Sequence, residues 1–155
     1  MTQQGTITIE LLDGSAAVQA GNAFELIYAE AFAEPPYNET DDDVAAAFRR
    51  FPVQARNPTF RAALARTEDG EPIGMAYGHP LGPATVWWDE LTEPVPDDMR
   101  REDGQRTFGL MELNVHPAGK AASAAYRAWG YRKIGEARPW GEGADLHDVM
   151  LLDLH

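Results

Sequence analysis

Glu112 stands in the middle of an otherwise mostly apolar run, TFGLMELNV (Thr107–Val115). A carboxylate in such a run must find a partner such as an arginine, reach water where the sheet splays, or accept a pKa raised by burial. The last would suit general-base work near neutral pH. Tyr126 lies further along, in the short helical pattern ASAAYRAW. A phenol, with an ordinary pKa of about 10, can donate a proton to a departing thiolate, or it can simply pack as an aromatic with its hydroxyl satisfied. For both residues the residue pattern leaves the structural and the chemical role open.

Other chemistries find less support. The chain has no cysteine, which removes disulfides, thiolate nucleophiles and thiolate metal sites. His79, His116, His147 and His155 have no metal-ligand spacing, so no metal site is expected. No serine sits in a nucleophile-elbow pattern. The pair Gly141 and Gly143 opens no helix and reads as a turn, not a phosphate cradle.

The elements that must position Glu112 and Tyr126 follow from periodicity. TITIELL (Thr6–Leu12) alternates like a strand and Asp13-Gly14 turns it. Ser15 can cap one long helix, AAVQAGNAFELIYAEAF, with Val18, Phe24, Leu26, Ile27 and Phe32 as its apolar face and Pro35-Pro36 as its stop. Thr40 and Asp43 form a variant capping box for a second helix expected to end before Pro52. TFRAALAR and PIGMAYGH, joined through Asp69-Gly70, predict an antiparallel hairpin. Residues 80–106 make a long connection that carries Trp87 and Trp88, either as cover for the core or as part of a binding loop. A strand at 107–115, a helix stopped at Gly130, and strands YRKIGEA and HDVMLLDL complete a β-α-α-β-β-β-α-β-β order. That mixture without strict alternation is an α+β domain.

Composition narrows the class further. At 155 residues and 44% hydrophobic, the chain is expected to form one domain, residues 1–155, with an ordinary core. No apolar run approaches the roughly 18 residues of a membrane span, and no signal-peptide pattern opens the sequence. A cytoplasmic protein is the expectation. The net charge of −12 argues against nucleic acid as a partner. Residues 100–138 nevertheless carry eight basic residues against four acidic ones, so they stand at +4 and the remainder at −16. That basic segment can receive an anionic ligand or serve only in internal ion pairs.

Together, LMELNVHP, AAYRAWGYRKIGEARPW with its Tyr126, Gly130 and Tyr131, and the closing DVMLLDL resemble the GNAT superfamily of N-acetyltransferases. The resemblance covers nearly the whole chain; its C-terminal motifs are fairly specific and its N-terminal half is generic. It implies an α+β fold with a mixed, mostly antiparallel sheet flanked by helices, and acetyl-CoA as cosubstrate. The reaction implied is direct acetyl transfer to a primary amine of a small molecule or peptide. By the same resemblance the backbone around Leu113, Asn114 and Val115 pairs with the pantetheine arm. Glu112 is then the base, through water, and Tyr126 the acid toward the CoA thiolate. Trp87, Trp88 and Asp89 are candidates to line the amine pocket, and the acidic remainder would favour a cationic amine.

The chain departs from the family in one place. Between residues 117 and 121 it lacks the glycine-rich loop, the helix whose N-terminal amides hold the pyrophosphate, and the fifth strand, roughly 30 residues in all. Lys120 is a lone cation there and does not replace a row of amides. Either a segment of the natural protein is missing from this sequence, which the near-intact motifs on both sides favour, or the chain is truly shortened. In the second case the expectation shifts to a noncatalytic, GNAT-shaped module. Such a module would bind an amine or pair with another copy of the chain through an open sheet edge.

Overall fold

Asp13 closes the first strand and caps the helix that follows: its Oδ1 accepts from the Ala16 N–H at 2.9 Å. In the computed structural model of the protein the elements run β1 (Thr8–Asp13), α1 (Gly14–Gln19), α2 (Gly21–Phe32), α3 (Asp41–Gln54), β2 (Arg61–Arg66) and β3 (Pro72–Pro80). A 3₁₀ turn (Trp87–Glu90), α4 (Asp97–Arg100), β4 (Phe108–Val115), β5 (Arg132–Ala137) and β6 (His147–Leu151) follow. The structure describes residues 5–35, 37–115, 127–137 and 147–152, with backbone alone for 111–115, 147, 148 and 150. None of the described helices is long and apolar enough to cross a membrane.

The first half departs from the sequence reading in two ways. The single helix expected from residue 16 is two helices, and Asp13, not Ser15, caps the first. Ala20 leaves the helical region at φ −91°, ψ 14°. One anchor holds α1 against the end of α3, since a Cβ on Gly14 would lie 1.9 Å from the Ala55 carbonyl oxygen. The other anchor sets α2, which buries Phe24, Ile27 and Tyr28, whereas Val18 and Leu26 turn to solvent. The second departure is at Pro52, which lies inside α3 and does not end it. Pro removes one N–H from the ladder, yet the last turn holds because Phe51 is buried among four aromatic rings. The α3 capping box forms as expected, with Thr40 and Asp43 exchanging both bonds. The bond from the Thr40 N–H, then that from its hydroxyl, holds the Asp43 carboxyl below the usual range.

The chain gathers into two compact units, one made of residues 1–80 and 108–117 and the other of residues 81–107 and 118–155. In the first, four strands pair antiparallel in the order β1-β2-β3-β4. The β2–β3 hairpin turns at Gly70, where φ is +86° and glycine is favoured. Leu12, Ala62 and Tyr77 share one face by register, as do Leu64 and Met75. That face meets Phe24, Phe51 and Phe60 to form the core. Ile9 and Leu11, opposite Ala65 and Ala63, belong to the other face and are 63% and 83% exposed.

In the second unit, among the described residues, β5 and β6 pair as a ladder only with each other, and Leu91 bridges to Ala137 on the other side of β5. Both described sheets are antiparallel. The long connection is folded in its own right. Leu81 N–H donates to Thr107 O at 2.7 Å and Gly104 N–H to Leu81 O at 2.9 Å, closing residues 81–107 at their base. Leu81 and Trp88 are buried inside.

Candidate active site

β3 and β4 run in register from Gly74 opposite Val115 to Tyr77 opposite Glu112. The next pair is Gly78 with Leu110, so Met111 is an extra residue on β4. A bulge of this kind bends its strand and sharpens the local twist. Gly78 marks the same point on β3: a Cβ there would come within 2.1 Å of the Gly109 carbonyl oxygen and 2.9 Å of the Phe108 ring. The two strands are therefore pinched beside the bulge in a way that only glycine permits.

Glu112 follows the bulge directly and stands opposite Tyr77. Leu113, Asn114 and Val115 pair with Ala76, Met75 and Gly74, which occupies one edge of β4. Among the described residues no strand pairs with its other edge. Every second residue of an antiparallel edge strand turns its N–H and C=O away from its neighbour, so on that side the β4 backbone has no strand partner among the described residues. Lys120 and Tyr126 lie outside the described residues.

One residue here escaped the sequence reading, which weighed it only as a metal ligand. His79 falls on β3 two positions after Tyr77, on the same face, and is half-buried. Its Nδ1 lies 2.9 Å from the Pro80 carbonyl oxygen. A carbonyl only accepts, so Nδ1 carries the hydrogen and, in the neutral ring, Nε2 carries the lone pair. The available signal was the sequence YGHP itself, where period-2 counting from Tyr77 puts a histidine on an aromatic face. A second feature left no sequence signal. Asn22, Glu25, Leu26, Ala29, Asp41 and Val44 line an open groove of about 400 Å³ along α2 and α3, with two carboxylates over an apolar floor.

Trp87, Trp88 and Asp89 belong to the second unit. Trp88 is buried and its indole N–H donates to Glu102 Oε1 at 3.0 Å. Trp87 is half-buried, and Asp89 is exposed and ion-paired with Arg100. Glu102 has a side chain with 0% exposure, and the Arg106 guanidinium approaches Oε1 to 3.9 Å. Its Oε2 has no hydrogen bond among the described residues. Arg106 also donates to the carbonyls of Met99 and Arg101 at 2.9 and 2.7 Å, which ties α4 into the same clasp. Three of the eight basic residues of 100–138, Arg100, Arg106 and Lys133, meet carboxylates, and of these partners only Asp89 lies outside the segment.

Comparison with known proteins adds no relative: no family model matches the chain, and no curated protein matches it.

Proposed function

We propose that this chain is a GNAT-type N-acetyltransferase that moves acetyl from acetyl-CoA to a primary, cationic amine. The observation that carries the reading is the bulge at Met111, beside Glu112 on a strand whose outer edge has no strand partner among the described residues. Bulges of this kind re-aim side chains and end pairing next to active sites. In this reading the β4 backbone from Leu113 to Val115 holds the pantetheine amides, and Lys120 is the available cation toward the phosphates. Acetyl-CoA, when bound, supplies a thioester carbonyl for attack. Glu112 takes up a proton from the attacking nitrogen through water, and Tyr126 gives one to the sulfur. The acidic groove of Glu25 and Asp41 belongs to the same surface chemistry, favouring positive over neutral ligands.

A second reading is a noncatalytic module that binds an amine or a second copy through the open strand edge. The missing glycine-rich loop favours it. Thermal unfolding with and without acetyl-CoA separates the two. A ligand that binds only the folded state at 100 times its dissociation constant stabilises by about 2.7 kcal/mol, so the transferase should melt higher as acetyl-CoA is added. An unchanged melting temperature across millimolar acetyl-CoA sinks the transferase reading. If the shift is present, Tyr126→Phe should slow turnover far more than it weakens cofactor binding.

A further inference from the structure

We propose that His79 is a catalytic residue of this site, the acceptor of the first proton lost by a cationic amine substrate. The inference rests on the acetyl-transfer reading and assigns a step that reading leaves open. A primary amine near neutral pH arrives as an ammonium, which has no lone pair for attack. One proton must leave before the C–N bond can form.

Four observations converge on the imidazole. Met75 and Tyr77 alternate inward along β3 and are buried, and His79 is the next residue of that alternation, where burial gives way to half-exposure. The core face thus ends in a base. Second, the Nδ1–H bond to Pro80 O at 2.9 Å fixes the ring and its tautomer. Nε2 is left as an acceptor without a hydrogen-bond partner among the described residues. Third, the cross-strand partner of His79 is Gly109, which sets no side chain beside the ring. Fourth, the bulge at Met111 falls between that pair and the pair of Tyr77 with Glu112, so the imidazole and the carboxylate position flank the one irregular point of the β3–β4 ladder. In the register, position 112 is one residue beyond the regular cross-strand diagonal of His79, which puts both positions at the same irregular stretch of the β3–β4 ladder.

The protons balance. The ammonium N–H bond breaks and its proton goes to His79 Nε2, which later releases it to solvent. The freed lone pair then forms the C–N bond as the C–S bond of the thioester breaks. The nitrogen loses its remaining extra proton through water to Glu112, and the sulfur gains one from Tyr126. Ammonium plus acetyl thioester gives amide, free thiol and one proton.

The test is release of free thiol from acetyl-CoA by the full chain, offered a polyamine, lysine and a peptide with a free N-terminus. Two variants separate base from brace. His79→Asn keeps a donor for Pro80 O but has no basic nitrogen, and His79→Ala opens a slot that added imidazole can fill. We expect kcat to fall about 100-fold in both, with the KM for acetyl-CoA unchanged and the melting temperature of the Asn variant near that of the parent. Imidazole should restore turnover to the Ala variant alone. Parent-like turnover in His79→Asn would make His79 a structural pin and overturn the assignment. So would an Ala variant that folds but ignores imidazole. Absence of thiol release by the parent with every amine overturns the acetyl-transfer reading itself, a different failure that takes this inference with it.

Discussion

Phe51 and Trp88 are both buried aromatic residues, one in each unit, and they keep very different company. The Phe51 ring meets Phe24, Phe48, Phe60 and Tyr77 at centroid distances of 5.2, 5.4, 6.0 and 5.1 Å. Trp88 gives its N–H to a carboxylate that is itself wholly buried and has one oxygen without a hydrogen bond among the described residues. The first unit is therefore held mainly by apolar contact, which is non-directional and tolerant of small shifts. The second depends on polar geometry: breaking one bond strands a buried group, and the cost is the full desolvation of that group.

The sharpest way to break this contrast is at its centre. Phe51→Ala should cost about 3–5 kcal/mol in urea unfolding, the usual toll of an aromatic-sized cavity. A loss below about 1 kcal/mol would mean that the aromatic cluster does not carry the first unit. Trp88→Phe keeps the ring but removes the donor to Glu102. It should cost about 1–3 kcal/mol, the penalty for an orphaned buried acceptor. Hydrogen exchange should locate that loss, with faster exchange at Leu81 and Gly104 and unchanged protection along β2 and β3. Uniform loss everywhere would erase the distinction between the units.

The smallest effect belongs to the surface. Thr40→Ala removes the α3 cap and should cost about 1 kcal/mol. Its partner Asp43 titrates below the usual carboxylate range when folded, because the Thr40 bonds favour the charged form. The sign follows directly: the stability it lends is complete above the unfolded pKa of about 3.9. That contribution is lost as pH falls through the lower folded value. The melting difference between the parent and Asp43→Ala should be present at pH 7 and shrink in strong acid. A difference that grew in acid would reverse the assignment.

What was legible in the sequence was local chemistry. Asp69-Gly70 predicted the hairpin because a positive φ is a property of a few residues, and Gly70 has it. Thr40 and Asp43 predicted their capping box because the partners are three residues apart. The misread places were set by contacts distant in sequence. The break at Ala20 lies between α1, held close to Ala55 at Gly14, and α2, and helix continues through Pro52 because Phe51 is gripped by Phe24 of α2, Tyr77 of β3 and Phe60 just before β2. The site was half legible for the same reason. Glu112 stood out as a charge in an apolar run, whereas the Met111 bulge depends on the β3–β4 register, which residue spacing within one strand does not encode. Trp87 and Trp88 looked alike as neighbours, yet one is enclosed and the other half-exposed, a difference decided by Glu102 fourteen positions on.

β1 carries a consequence for handling the protein. It is an outer strand of its sheet among the described residues, and it presents Ile9 and Leu11 largely bare. Strands of that kind invite stacking between molecules, the first step toward a precipitate. A charge of −12 keeps copies apart at neutral pH. Near the isoelectric point of about 4.6 the repulsion vanishes, and strong salt screens it at any pH. Colloidal behaviour thus hangs on the acidic residues, and mild acid or high salt should turn a clear solution cloudy well before the fold itself gives way.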